Sequence, residues 1–304
     1  MKELILDYII SQFGNSFVDG QRIRHYSYCL FPEKECSCVD IDNITYDTSL
    51  IHGGYVDSFS MAVVLIYLEK TFSIKISDKQ AIPENFDTIN NMVLLVESIK
   101  KDQIKLHTFG DSHCGFHECN WNAIKIDNVE IKSHWIGAVT CASFGVRKLG
   151  VLNIKEYDVN DGDVVCFSFG EIDVRTKMHI LGNRYKKFID RSVKNYFEAI
   201  KINISQFKDL KVMVSCIPPV AKDANDRYYP TIGSNEERKQ YTEYMNMMLQ
   251  RECNEYGYVF FNIYKQYSGD DGYMKPSMSD GHVHIKDARY MKSELLNILD
   301  TLCR

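Results

Sequence analysis

Apolar residues recur at two different spacings along the chain, and the change of spacing divides it into two parts. In the front part they recur three or four residues apart, which predicts helices over residues 2–13 and 58–72 and a last helix starting after Thr88. In the back part, short and nearly continuous apolar runs alternate with helical segments. Such runs are typical of buried parallel strands. The strands are predicted at 106–109, 129–135, 163–169, 210–215 and 258–263, and the helices at 185–202, 235–255 and 287–302. The back part is therefore predicted to be a parallel α/β sheet with helices on both faces.

Composition and charge narrow the classes of function. The chain has 304 residues, 45% hydrophobic and 25% charged, with a net charge of −5, which gives no general case for nucleic-acid binding. No apolar run approaches 18 residues, so we expect no membrane span. Acidic residues interrupt the first apolar stretch, which argues against a signal peptide. We therefore expect a cytoplasmic protein whose ten cysteines are reduced.

The charge is unevenly distributed between the two parts. Residues 1–100 hold 8 basic and 14 acidic residues, whereas residues 101–304 hold 28 and 27. This asymmetry predicts two domains, 1–101 and 105–304, joined by a short tether.

Residues 16–46 show weak periodicity and are predicted to form a long loop. Its Cys36 and Cys38 have no convincing second ligand pair, so we interpret them as ordinary loop cysteines.

Three segments of the front domain resemble an acyl or peptidyl carrier domain. They are Asp47–Ile51, Gly54–Ser60 and Phe86–Ile89. The resemblance implies a four-helix bundle with 4′-phosphopantetheine attached covalently to Ser58. It also implies two partners, a phosphopantetheinyl transferase and an acyl-loading enzyme. A helix N-terminus suits a phosphodiester, because its N–H groups are unpaired and carry partial positive charge. The alternative is that Ser58 is only the N-cap.

Three points of the back domain combine residues suited to acyl transfer. Gly110-Asp111-Ser112 follows the first strand, Gly170–Arg175 follows the third, and Asp280–His284 precedes the last helix. A serine needs a base to act as a nucleophile, and a neighbouring acid and histidine can supply both the orienter and the base.

This pattern resembles the SGNH (GDSL-type) hydrolases, which implies a flavodoxin-like fold. It assigns Ser112 as the nucleophile, Asp280 as the acid and His284 as the base. His282 remains a second possibility, since the family's usual position for the base is Val283 here. The family's third block, Gly-x-Asn-Asp, is Gly170-Glu171-Ile172-Asp173, and Ile172 cannot replace the asparagine that donates to the oxyanion.

Other groups could complete the oxyanion site or line the pocket. The substitute side chains are Arg175 and His179, and the glycine whose N–H donates would be Gly137 or, less well, Gly145. Gly170, Glu171, Asp173 and His282 are further pocket candidates. His113, Cys114, His117 and Cys119 supply metal-ligand types in seven residues, but no partner pair exists, so we expect no metal. Cys114 as the nucleophile is a minor alternative.

Together, the two domains predict a carrier-linked acyl hydrolase or acyltransferase. Ser112 would attack an acyl group delivered on Ser58 or on another carrier, and the acceptor would be water or a hydroxyl of a sugar or metabolite. Two alternatives remain open. The back domain could be an inert fold that docks the carrier to a biosynthetic assembly, or an ordinary esterase whose front domain controls partner choice.

Overall fold

A computed structural model describes residues 1–13, 17–18, 21–22, 44–53, 55–115, 124–224 and 230–303 of the protein. It divides the chain into two compact units, Met1–Gln103 and Ile104–Arg304.

The described residues of the first unit form three helices of twelve or more residues and one short helix. They are α1 (Lys2–Phe13), α2 (Ser58–Phe72), α3 (Pro83–Phe86) and α4 (Ile89–Lys101). Thr88 caps α4, since its hydroxyl accepts from the N–H of Asn91 at 3.0 Å. The apolar face of α4 packs into the core beside buried residues of the other helices, which include Ile5, Ile9, Val64, Leu68 and Phe86. The helices predicted from periodicity are confirmed, whereas the carrier identity of this unit remains a prediction.

Two loops of the first unit bear on the sequence predictions. The prediction of a loop over residues 16–46 is wrong for two short segments. There, β1 (Phe17–Val18) pairs antiparallel with β2 (Gln21–Arg22). Most of that segment, with Cys36 and Cys38, lies outside the described residues. The second loop precedes α2 and is held by Asp87, whose carboxylate accepts from the hydroxyl of Ser49 at 2.9 Å.

The second unit is built on a parallel sheet. Its five strands lie in the order β4-β3-β5-β6-β7, and all four neighbouring pairs are parallel. The strands are β3 (Ile104–Gly110), β4 (Val129–Trp135), β5 (Val164–Ser168), β6 (Lys211–Ser215) and β7 (Val259–Phe261). The predicted parallel α/β sheet is confirmed.

Helices cover both faces of this sheet. Side chains alternate between the faces along each strand, so Val212 and Val214 join one core and Met213 the other. The first core includes α5 (Cys141–Arg147), α8 (Tyr185–Ile204) and α9 (Asn235–Tyr256), and the second includes α11 (Arg289–Leu302). The described residues of this unit also form three short α-helices, α6 (Glu171–Thr176), α7 (Met178–Leu181) and α10 (Tyr264–Tyr267). No helix in the described part of the chain is long and apolar enough to cross a membrane.

Candidate active site

Ser112 lies just beyond the carboxyl end of β3, where catalytic groups of parallel sheets usually gather. The strand ends at Gly110, and a Cβ there would lie 2.1 Å from the carbonyl oxygen of Ser168 on the neighbouring strand. Only glycine therefore fits this position. Ser112 then opens a 3-10 turn that Asp111 caps, because the Asp111 carboxylate accepts from the N–H of His113 at 2.9 Å. The turn leaves Ser112 partly exposed.

The segment before α11 holds the acid and histidine of the predicted triad. The Asp280 carboxylate accepts from the backbone N–H groups of His282 and His284, at 2.8 and 3.2 Å. Its Oδ2 also lies 3.4 Å from Nδ1 of His284. The His282 side chain is exposed, whereas His284 is partly buried. The geometry thus favours His284 over His282 as the partner of Asp280.

His113 joins the Ser112 turn to this segment. Its Nδ1 lies 3.4 Å from Oγ of Ser112 and 3.2 Å from Oδ1 of Asp111. Its Nε2 lies 3.0 Å from the carbonyl oxygen of Val283. Its ring stacks on that of His284 with centroids 4.8 Å apart. Ser112 and His284 therefore both contact His113, which the sequence suggested only as a possible metal ligand, and Asp280 joins them through His284.

The two stacked histidines differ in charge. Burial lowers the pKa of His113, but the hydrogen bond and charge of Asp111, helped by Glu171 and the Val283 carbonyl, outweigh burial and raise the pKa to about 9. Burial also lowers the pKa of His284, and the charge of His113 lowers it further, against the opposing effect of Asp280. At neutral pH, His113 is therefore a cation that donates from both nitrogens, and His284 is a neutral base. Among the described residues, buried Nε2 of His284 has no hydrogen-bond partner.

The segment after β5 holds a buried ion pair where the resembled family has its oxyanion asparagine. Gly170 has a φ of +128°, and a Cβ there would lie 2.8 Å from the Met245 methyl, so glycine is required. Nε and Nη2 of Arg175 donate to the two carboxylate oxygens of Glu171 at 2.6 and 2.9 Å. Two donors of Arg175 are thus committed to Glu171.

The remaining candidates from this segment have local structural partners. The Asp173 carboxylate accepts from the N–H of Cys141 at 2.7 Å, so it caps the start of α5. Burial raises the pKa of Asp173 to about 6, although Lys177 and the capped amides oppose the rise. His179 lies on the surface beside Glu237, with 3.1 Å between Nδ1 and Oε1.

Backbone N–H groups remain as oxyanion donors. Neither Ser112 nor Gly137 donates its N–H to an acceptor within the described part of the protein. The N–H of Ile136 donates to the carbonyl of Gly110 at 2.8 Å, which fixes the strand end that carries Gly137 beside the Ser112 turn. The weaker candidate, Gly145, is wrong: it lies within α5, and a Cβ there would be 2.8 Å from the backbone nitrogen of Tyr196 on α8. Its role is close helix packing.

The cysteine and metal alternatives gain no support. Cys114 is fully buried, and its thiol donates to the carbonyl of His134 at 3.6 Å. His117 and Cys119 lie outside the described residues. Within the part of the chain that the structure describes, no group of three or more His, Cys, Asp or Glu side chains could hold a metal ion.

In the first unit, Ser58 is the first residue of α2. The N-cap is Asp57, whose carboxylate accepts from the N–H of Ser60 at 2.7 Å. The interpretation of Ser58 as the N-cap is therefore wrong. Phe59 beside it is 80% exposed.

Comparison with known proteins finds likeness in solved structures only. No family profile and no curated protein sequence matches the chain. A GDSL-like lipase from Bacteroides thetaiotaomicron is 14% identical, with a TM-score of 0.46, over 66% of this chain and 90% of that one. A lipolytic G-D-S-L family protein from Veillonella parvula is 14% identical, with a TM-score of 0.44, over 66% and 100%. Phospholipase A1 from Streptomyces albidoflavus is 12% identical, with a TM-score of 0.42, over 66% and 99%. At this similarity we infer no residue role from these proteins.

Proposed function

We propose that the second unit is a serine hydrolase or acyltransferase in which Ser112 attacks an acyl ester or thioester. One observation carries the proposal: His113 contacts Ser112, Asp111 and Val283 and stacks on His284, which itself lies beside Asp280. This arrangement supports the assignment of a nucleophile, a neutral base and an orienting acid to the carboxyl end of the sheet.

His284 is the base in this mechanism. It accepts the proton of the Ser112 hydroxyl at Nε2 while Asp280 holds the other ring nitrogen, and it later returns the proton to the leaving group. His113 cannot take this role at neutral pH, since its proton is held by Asp111. Here Ser112 Oγ is hydrogen-bonded to Nδ1 of His113, so the attack requires rotation of the serine side chain toward His284. Serine rotamers interconvert readily, and catalytic contacts commonly tighten only with substrate bound.

The oxyanion would be held by the backbone N–H groups of Ser112 and Gly137. Ile172 contributes no donor, and the loss of one oxyanion donor typically costs about 10²–10³ in rate. The positive charge of His113 next to Ser112 offsets part of this loss, because it lies where negative charge develops.

We further propose that Ser58 carries 4′-phosphopantetheine, added by a phosphopantetheinyl transferase and charged by an acyl-loading enzyme. Support comes from the three carrier-like segments and from the position of Ser58 as the first residue of α2, directly after the N-cap Asp57. When bound, the group supplies an acyl chain as a thioester. The acceptor is water or a hydroxyl of a sugar or metabolite.

A fluorophosphonate probe tests the nucleophile without knowledge of the substrate. We expect the probe to label Ser112 in the parent protein, as mapped by peptide mass, and to leave Ser112→Ala unlabelled. Label on Cys114 or elsewhere would contradict the assignment.

A second candidate function is an inert docking fold. It is favoured by Ile172 and by the absence of a contact between Ser112 Oγ and His284 Nε2. A folded parent protein that resists the probe would support docking and refute catalysis.

The carrier is tested by the mass gain of one phosphopantetheine in the parent but not in Ser58→Ala, after incubation with coenzyme A and a transferase of broad specificity.

A further inference from the structure

A small cavity lies next to the candidate active site. It measures about 20 Å³ and is lined by the apolar run from Ile217 to Ala221 and by four polar side chains, Glu171, Arg175, Arg238 and Thr242. Val283 also lines it, and the carbonyl of Val283 accepts from His113. The cavity therefore shares a wall with the catalytic residues.

Two polar side chains of this cavity lack partners. Arg238 is 4% exposed and Thr242 is fully buried, and neither Nε of Arg238 nor Oγ1 of Thr242 has a hydrogen-bond partner among the described residues. Nη2 of Arg238 donates to Asn235, which fixes the guanidinium. Arg238 and Thr242 are four residues apart on α9, so they lie on the same face of the helix. Buried donors without acceptors are rare in native proteins and indicate a missing partner.

The charge of the lining points to an anionic partner. Glu171 and Arg175 neutralise each other in a buried ion pair. Within the described residues, no carboxylate lies within ion-pair distance of Arg238. The four polar side chains thus carry a net charge of +1, which a bound negative group would balance.

We propose that this cavity binds a carboxylate of the substrate, with Nε of Arg238 and the hydroxyl of Thr242 as donors. The cavity has room for about one water-sized group, so a single carboxylate oxygen fits into it and a larger tetrahedral anion does not. A planar guanidinium also matches the geometry of a carboxylate. The inference rests on the proposed function and narrows its substrates to esters or thioesters that carry a carboxylate near the scissile bond.

The kinetic test compares, on the full chain, an ester with a free carboxylate and an ester in which that carboxylate is masked by a methyl group. The probes are 4-nitrophenyl hydrogen succinate and its neutral methyl ester analogue. We expect the parent to favour the carboxylate ester in kcat/KM by about 10- to 100-fold, mainly through a lower KM, as a charge-assisted hydrogen bond would give. In Thr242→Val and Arg238→Gln the ratio of the two kcat/KM values falls toward one. Arg251→Gln is the matched control, because it removes the same charge from an exposed position of α9. Equal losses for both esters in the two cavity variants would overturn the proposal.

A binding measurement separates failure of the site from failure of catalysis. We expect monomethyl succinate, but not dimethyl succinate, to raise the thermal unfolding midpoint of the parent and of Ser112→Ala, and to do so less in Thr242→Val. A shift together with no ester turnover and no fluorophosphonate label would keep the carboxylate site and reject the hydrolase. No shift with normal turnover would mean that the cavity holds only water, and the proposal would fail. No shift together with no turnover would reject both.

Discussion

The two stacked histidines are predicted to affect different properties: His113 the stability of the fold and His284 the catalytic rate. His113→Gln removes the buried positive charge, while its amide can still donate to the carbonyl of Val283. His284→Gln removes the proposed base and leaves the His113–Asp111 pair intact. The side chains of His113 and Asp111 are only 8% and 1% exposed, whereas His284 is 24% exposed. The first change should therefore weaken the fold and the second should stop the chemistry.

The magnitudes follow from burial and hydrogen bonding. A pKa raised from 6.5 to about 9 corresponds to roughly 3 kcal/mol of favourable interaction for the charged form of His113. Breaking one side of a buried ion pair typically costs about 3–5 kcal/mol. Because glutamine keeps one hydrogen bond, we expect His113→Gln to lose about 3 kcal/mol. For His284→Gln we expect less than about 1 kcal/mol in stability, but a fall in kcat of about 10²–10⁴.

Tryptophan fluorescence gives a clean assay for the second unit. The only two tryptophans, Trp121 and Trp135, belong to it, so urea unfolding followed by their emission does not report on the first unit.

The sign of the pH dependence is a further check. Since folding raises the pKa of His113, its stabilisation is complete below pH 6.5 and disappears as the pH rises through about 9. The stability difference between parent and His113→Gln should therefore shrink between pH 6.5 and about 10.

Two results would refute this account. If His113→Gln is as stable as the parent at pH 6.5, His113 carries no buried charge. If His284→Gln keeps full turnover while a folded His113→Gln loses it, His113 is the base and the roles are reversed. Ser112→Ala is the control for both, with native stability and no turnover.

Three further predictions address pH and backbone strain. Because the pKa of His284 is lowered, the acid-side decline of kcat/KM in an initial-rate pH profile should have its midpoint below pH 6.5. A midpoint above pH 6.5 would contradict a neutral buried base. Gly170→Ala should cost about 2–4 kcal/mol by urea unfolding from strain and overpacking, whereas Gly150→Ala, with open space and no positive φ, should be neutral within about 0.5 kcal/mol. Burial lowers the pKa of His107 to about 4, so the folded state resists protonation and stability should fall as the pH drops from 6.5 toward 4. His107→Asn should show a smaller fall over that range, and an equal fall would exclude this histidine as the cause.

Periodicity in the sequence predicted the strands and long helices of the fold well, because each buries a face with a regular spacing. The strand predicted at 129–135 matches β4, and the helix predicted at 235–255 matches α9 within a residue. The short helices α5 and α6 were not predicted, since six or seven residues give too little periodicity and part of the support for the start of α5 comes from a distant residue. The cap of α5, for example, includes Asp173, which lies 32 residues away in sequence from Cys141.

The site was predictable only where residues act near one another in sequence. Asp280 and His284 are four residues apart, so their pairing was foreseeable. The link from His113 to Val283 spans 170 residues and depends on the parallel sheet bringing both to one edge. Arg238 was hidden in a charged run, Glu236-Glu237-Arg238-Lys239, that is typical of a solvated helix face. Its spacing with buried Tyr241, Thr242 and Met245 was the signal that could have identified it.

The charges around Ser112 are best understood as one connected set. Asp111 and Asp280 hold the two histidines, and Glu171 lies close enough to raise the pKa of both. The buried Glu171 carries a negative charge that the cationic His113 and Arg175 balance. Among the described residues no carboxylate lies within ion-pair distance of Arg238, and its cavity adjoins the loop that His113 holds. A substrate carboxylate bound there would complete the charge balance of the site and place an ester beside Ser112. Substrate selection and the protonation state of His284 would then depend on the same set of charged groups.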